Sequence, residues 1–176
     1  MKHLMLLILI FTMSQAAERT VLFEDHTNAQ CGPCWAIEGQ INSFVNAHLA
    51  AGNLAVLRTH AWWPGADPIY NANPTEQAAR INFYNISGVP NLKMDGVLPT
   101  SGSNLEARFN IRAATPCYLD IEVFKNNTGT DVNGTIYIEL TAEQALSSSP
   151  LKLHAILVPC RVARGNFPLG LSPNRT

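Results

Sequence analysis

Two cysteines three positions apart, in Cys31-Gly32-Pro33-Cys34, are the residues of this chain best suited to do chemistry. Paired thiols at that spacing exchange disulfides: one attacks, a mixed disulfide forms, and the second displaces what the first has captured. How readily they do so depends on where the chain places them. Residues 20–26, with Val21, Leu22 and Phe23, read as a strand, and a polar turn follows over 27–30. From Cys34 the period changes: Ile37, Ile41, Phe44, Val45 and Leu49 recur at helical spacing as far as Ala51-Gly52. The motif therefore opens a helix. Unpaired N–H groups and the helix dipole at that end favour thiolate over thiol, pulling a cysteine below its free pKa of ~8.5. Cys31 is expected to be the exposed attacking sulfur, and Cys34, one turn in and more buried, the resolving one. Gly32 allows a tight bend, and Pro33 pre-sets a helical φ without needing to donate a hydrogen bond.

The same spacing also serves a zinc half-site or a plain structural disulfide. Zinc needs two further ligands, but Cys117 and Cys160 are not a second close pair, and His26, His48, His60 and His154 are scattered. No metal or nucleotide cofactor is implied. A structural bridge stays open in a chain made for an oxidising compartment, and residues 1–17 point to one. Lys2 and His3 precede an apolar run over 4–13, and Ser14-Gln15-Ala16-Ala17 supplies the small residues of a signal-peptidase site. That run is too short to span a bilayer, and no second stretch is long enough. The mature chain is expected in a secreted or periplasmic setting, without a transmembrane anchor. Cys117 and Cys160 either bridge or stay separate, since four cysteines allow three pairings.

The elements that must position the motif follow in order. Residues 54–57 form a short apolar run, most simply a buried strand, and an unusual loop with Trp62-Trp63-Pro64 comes next. Two Trp beside Pro favour a local packing cluster over a substrate-facing lip. Asn73-Pro74-Thr75-Glu76 carries a capping-box signature for a helix to about Tyr84. Residues 91–94 are strand-like, Asp95-Gly96 is a hairpin turn, and Ser103-Asn104-Leu105-Glu106 reads as a second capping box, opening a helix to about Ala114. The order β-α-β-α-β-β-α predicts an α/β sheet with helices on its faces. After Pro116, residues 118–124, 135–141 and 151–158 alternate as three amphipathic strands, a short antiparallel segment that is either packed on the first domain or the opening of a truncated β-sandwich. The expected organisation is a signal peptide over 1–17, an α/β domain over 18–115, a β-rich segment over 116–160 and a loose tail over 161–176.

Composition bounds the function. Of 176 residues, 47% are hydrophobic and 14% charged, enough apolar material for a core and unlike a disordered chain. Twelve Lys+Arg against thirteen Asp+Glu give a net charge of −1, without the basic excess of a nucleic-acid binder. Asn85-Ile86-Ser87, Asn126-Asn127-Thr128, Asn133-Gly134-Thr135 and Asn174-Arg175-Thr176 match the glycosylation pattern, which has meaning only in a eukaryotic secretory route.

Residues 20–34, with the redox motif, together with Gly88-Val89-Pro90, resemble the thioredoxin-like superfamily over about residues 19–115. The order Asn-Pro-Thr-Glu-Gln, Gly-Val-Pro and then sandwich-like strands also resembles outer-membrane-associated bacterial proteins with an N-terminal thioredoxin-like domain. The resemblance implies a thioredoxin-like fold and a thiol–disulfide oxidoreductase. Its partners would be protein dithiols or disulfides and a redox partner. In the outer-membrane-associated proteins redox activity is less regular, which leaves an interaction protein on the same scaffold as the alternative. The resemblance further implies that Pro90 is cis and sits beside Cys31. The N–H and C=O of Val89 would then pair with an incoming extended chain, and Gly32 and Pro33 would complete the substrate-binding rim. Asp25, six residues before Cys31, falls where the family carries a buried acid that moves a proton to or from the resolving thiol. Strand alternation puts Asp25 with Val21 and Phe23 and leaves Glu24 with His26 on the opposite face, making Glu24 the rival. The plainer reading is a solvated acid at a strand end. Three features depart from the family: Gln30 stands where a tryptophan is common, the stretch from Cys34 to Pro90 is longer, around Trp62-Trp63, and Cys117 and Cys160 lie on neighbouring strand candidates outside the motif.

Overall fold

Strand β1 (Val21–Thr27) runs through the middle of a four-stranded sheet, in the computed structural model, which describes residues 19–117, 119–125 and 136–142. Its neighbours are β2 (Leu54–His60), parallel to it, and β3 (Asn91–Met94), antiparallel; β4 (Leu98–Thr100) pairs antiparallel with β3 at the far edge. A parallel pair cannot be closed by a tight turn. The crossover is α1 (Gly32–Ala51), the long helix that starts at the cysteine motif. Helix α2 (Pro68–Ala72), α3 (Pro74–Phe83) and α4 (Leu105–Ala113) complete the unit, which spans Arg19–Thr115. The mixed α/β architecture expected from the pattern is present.

A central strand covered on both faces buries nearly every residue, polar ones included, and β1 buries Val21, Phe23, Glu24, Asp25 and His26. On one face Phe23, Ile41, Phe44, Leu92, Met94, Leu105 and Phe109 form the main core, with the Phe44 ring edge-on to Phe23 at 5.6 Å and to Phe109 at 5.9 Å. Each fully buried aromatic contributes roughly 1.5–3 kcal/mol. On the other face a smaller cluster joins Ala61, Ile81 and Ile86 with Trp63, Tyr84 and Val89.

Helix ends account for where the elements stop, and for three departures from expectation. Helix α1 ends at Gly52, whose φ of 76° is the left-handed conformation of a C-terminal cap. The box predicted at Asn73 is only half made. Its side chain accepts from the Glu76 N–H at 3.5 Å, but its own N–H already donates to Tyr70 O, closing the short helix α2 that the pattern did not foresee. The box predicted at Ser103 lies earlier: Asn104 Oδ1 accepts from the Ser101 N–H at 2.7 Å across a 3-10 turn (Gly102–Asn104), and Glu106 reaches His48 instead, at 3.1 Å. Strand β2 is an edge strand with Ala55 exposed, not a fully buried one, and it continues to His60 because Arg58 and His60 find partners inside.

The second unit begins at Pro116. It contains β5 (Leu119–Lys125) and β6 (Ile136–Ala142), antiparallel with Leu119 opposite Ala142 and Lys125 opposite Ile136. Cys117 carries a free thiol that donates to Leu119 O at 3.1 Å. The leader over 1–17, the strand expected over 151–158, Cys160 and the tail over 161–176 lie outside the described residues.

Candidate active site

The turn between β1 and α1 is built around Asn28. Its Oδ1 accepts from the Gln30 N–H at 2.8 Å, its Nδ2 donates to Ala61 O at 2.9 Å and to Gly65 O at 3.0 Å, and its carbonyl accepts from the Cys31 N–H at 3.0 Å. Cys31 then takes the N-cap position with extended backbone, φ −84° and ψ 105°. Its sulfur stands where a serine or aspartate oxygen usually caps a helix, and it accepts from the Cys34 N–H at 3.1 Å. Cys31 and Cys34 are joined as a disulfide, with their Cα atoms 5.3 Å apart. The Val89 carbonyl oxygen lies 3.6 Å from Cys31 Sγ, and the Val89–Pro90 bond is cis.

The expected contrast between an exposed Cys31 and a buried Cys34 is not what the fold provides. Cys31 is 1% exposed and Cys34 5%. Cys31 is closed in by the Val89 carbonyl on one side and the Asn28 turn on the other, leaving Gly32 and Pro33 as the exposed rim. Gly32 is an ordinary first residue of α1: it needs no left-handed φ, and a Cβ there would meet open space.

Asp25 is buried and not solvated, which removes the strand-end reading. Its Oδ2 takes the Arg58 Nε–H at 2.7 Å, and Arg58 Nη1 donates to Glu38 Oε1 at 3.0 Å. Glu38 is four residues beyond Cys34 and so shares its face of α1. The polar network thus lies on the helix face that carries the Cys34 sulfur. Asp25 Oδ1 has no hydrogen-bond partner among the described residues. Burial raises the Asp25 pKa; Arg58 opposes the shift and Glu38 adds to it. The rival Glu24 is buried on the opposite face, where Arg80 Nε (2.8 Å), Arg80 Nη2 and the Tyr84 hydroxyl (2.6 Å) donate to it. Burial, reinforced by that hydrogen bond to Glu24, pushes the Tyr84 hydroxyl up to about 12. Glu24 is fully engaged and Asp25 is not, so Asp25 has the spare oxygen.

Several side chains at the site were not among the residues expected there. Arg58 and Glu38 look like ordinary surface charges until β2 and α1 are paired. Asp67 accepts four hydrogen bonds: Oδ1 from the Ile69 and Tyr70 N–H groups (2.8 and 3.1 Å), and Oδ2 from the Ala29 N–H and His60 Nδ1 (both 2.7 Å). The dipeptide Asp67-Pro68 is a capping signature that could have revealed it. Trp35 is 70% exposed beside the motif, its Nε1 donating to Ala29 O at 3.1 Å. The Trp62-Trp63 pair divides its roles. Trp63 packs on the Ala61–Ile81–Ile86 cluster and precedes a second cis proline, Pro64, whereas Trp62 stays 47% exposed against Trp63 and Tyr70.

Among the described residues no group of three or more His, Cys, Asp or Glu is placed to hold a metal ion, and no helix is long and apolar enough to cross a membrane. The chain matches no protein-family model and no curated protein sequence, so the site is read from its own geometry.

Proposed function

We propose that this chain is an extracytoplasmic thiol–disulfide oxidoreductase built on a thioredoxin-like fold. The observation that carries the reading is Cys31 at the N-cap of α1, its sulfur taking the Cys34 N–H, with the Val89 carbonyl beside it ahead of a cis proline. The element order and the buried acid six residues before Cys31 agree with what the family resemblance implies. In the reducing direction the Cys31 thiolate attacks one sulfur of a substrate disulfide. The other substrate sulfur leaves as a thiolate and takes a proton. Cys34, passing its proton towards Asp25, then attacks Cys31 Sγ, releasing the second substrate thiol; two electrons have moved from the Cys31–Cys34 pair to the substrate. The oxidising direction is the reverse, chosen by the relative potentials.

One observation favours a second reading. With Cys31 1% exposed, the bridge also suits a structural staple in a surface interaction protein. Insulin reduction by the full chain, with Cys31→Ser as control, separates them. The oxidoreductase turns over, and Cys31→Ser abolishes turnover. A chain whose thiols alkylate only above pH 8 after reduction, and which does not turn over, is the scaffold.

A further inference from the structure

The loop between β2 and α2 ends by folding Asp67 back beneath the turn that delivers Cys31. It brings a histidine into the same buried network. Thr27 of β1 pairs with His60 of β2 just as Asp25 pairs with Arg58. Residues two apart on a strand share a face, so His60 lies on the Asp25 side of the sheet. It is buried there, with Nδ1 2.7 Å from Asp67 Oδ2 and its backbone N–H donating to Gln77 Oε1 at 2.8 Å. The other carboxylate oxygen of Asp67 caps α2, and Oδ2 also holds the Ala29 N–H, two residues before Cys31. One carboxylate therefore ties the motif's approach, a helix start and an imidazole together.

We propose, on the basis of the oxidoreductase reading above, that His60 is a positioning residue for thiol exchange: from the same buried face of the sheet a charge on its ring biases Asp25 towards the carboxylate, and Asp67 fixes both His60 and the turn ahead of Cys31. Charges in a buried site are weakly screened, so a proton on His60 is felt at Asp25. A positive His60 favours the Asp25 carboxylate, in the same sense as Arg58 and against Glu38. The groups facing this pair are Asp25 from β1, Arg58 from β2, Glu38 from α1 and Asp67 from the loop; α3 contributes the uncharged Gln77. His60 thus acts on the resolving step through Asp25, without touching either sulfur.

His60→Asn tests the idea. Asparagine retains a side-chain N–H near the position of Nδ1, so Asp67 keeps its fourth partner, but it carries no charge at any pH. In the reduced full-length chain, the Asp25 carboxyl is titrated by its 13Cγ resonance, and exchange with oxidised glutathione is followed against pH. The expected result is an Asp25 midpoint about one unit higher in His60→Asn than in the wild type, with the acid limb of the exchange profile moving alongside it. His60→Ala, which removes hydrogen bond and charge together, is expected to raise the midpoint at least as far. An Asp25 midpoint that stays put in His60→Asn overturns the proposal. A wild-type chain that does not exchange with glutathione at any pH instead overturns the oxidoreductase reading and, with it, any role of His60 in exchange.

Discussion

At the residue scale the site reduces to one question: what a buried carboxylate with one bonded and one vacant oxygen can do. Asp25 is raised by burial first, and Arg58 only partly reverses that. A carboxyl held up in this way is a better proton acceptor near neutrality than a solvated one, and Cys34 is the thiol whose helix face borders its network. Asp25→Asn is expected to slow release of the second substrate thiol by ~10²-fold at pH 7, measured by stopped-flow, while the first attack by Cys31 is little changed. The same substitution has a stability signature of known sign. Between the unfolded value of 3.8 and its raised folded value, native Asp25 keeps a proton that the unfolded chain has lost, so its contribution declines as pH rises through that window. Asp25→Asn should therefore gain stability relative to wild type from pH 3.5 to pH 8, as read by urea unfolding. A gap that narrows instead would mean that the Arg58 pair outweighs burial.

At the element scale the turn that carries the cysteines depends on β1 being held from both ends. The hairpin between β3 and β4 does part of this: Asp95 and Gly96 have φ of 51° and 69°, and the Asp95 carboxylate accepts from the Leu22 N–H and from Arg112 Nε, both at 2.8 Å. A Cβ on Gly96 would sit 2.3 Å from the Tyr84 hydroxyl, the group that donates to Glu24. Gly96→Ala is thus expected to cost about 1–3 kcal/mol, from the left-handed backbone and from displacing Tyr84, measurable as a lowered urea midpoint. That turn was legible in sequence because Asp-Gly reports its backbone locally. So were β1, α1 and the helix start at the cysteine motif, where strand alternation, helical period and the motif agree. Helix α2 escaped because five residues are too few for periodicity to register, although Asp67-Pro68 marked its start. The ion pairs of Arg58 with Asp25 and Glu38, and the bond between His60 and Asp67, escaped for a different reason. Each depends on which strand pairs with β1 and in what register, and single residues do not encode that. The burial of Cys31 was missed although Val89 and Pro90 were expected beside it, because a place at a helix start does not say how closely the Val89 carbonyl and the Asn28 turn close over the sulfur.

At the scale of the whole molecule, a sheet whose central strand carries Glu24, Asp25 and His26 in the interior should be sensitive to acid, and the window can be worked out. His26 is fully buried, and among the described residues neither ring nitrogen has a hydrogen-bond partner. Burial, helped by Arg80 and Lys93 and opposed by Glu24, lowers its pKa from 6.5 to about 4. Between those values the unfolded chain binds a proton that the native protein refuses, so stability rises with pH across the window and falls on acidification. A shift of that size corresponds to about 3 kcal/mol lost between pH 7 and pH 4. Asp25 runs the other way in the same range, because its folded form holds a proton longer. Asp67 acts below the window: burial raises it, but the hydrogen bonds from Ala29, His60 and Tyr70 win and depress it, so its stabilisation is lost only as pH falls beneath 3.8. His26→Leu isolates the first contribution, since leucine fills much of the same apolar space against Tyr84 and cannot be protonated. Unfolding free energies at pH 7 and pH 4.5 should fall less in His26→Leu than in wild type, by an amount of the order of 2–3 kcal/mol. Equal losses in the two proteins would show that water or a rearranged Glu24 reaches the His26 ring and satisfies it in the native state.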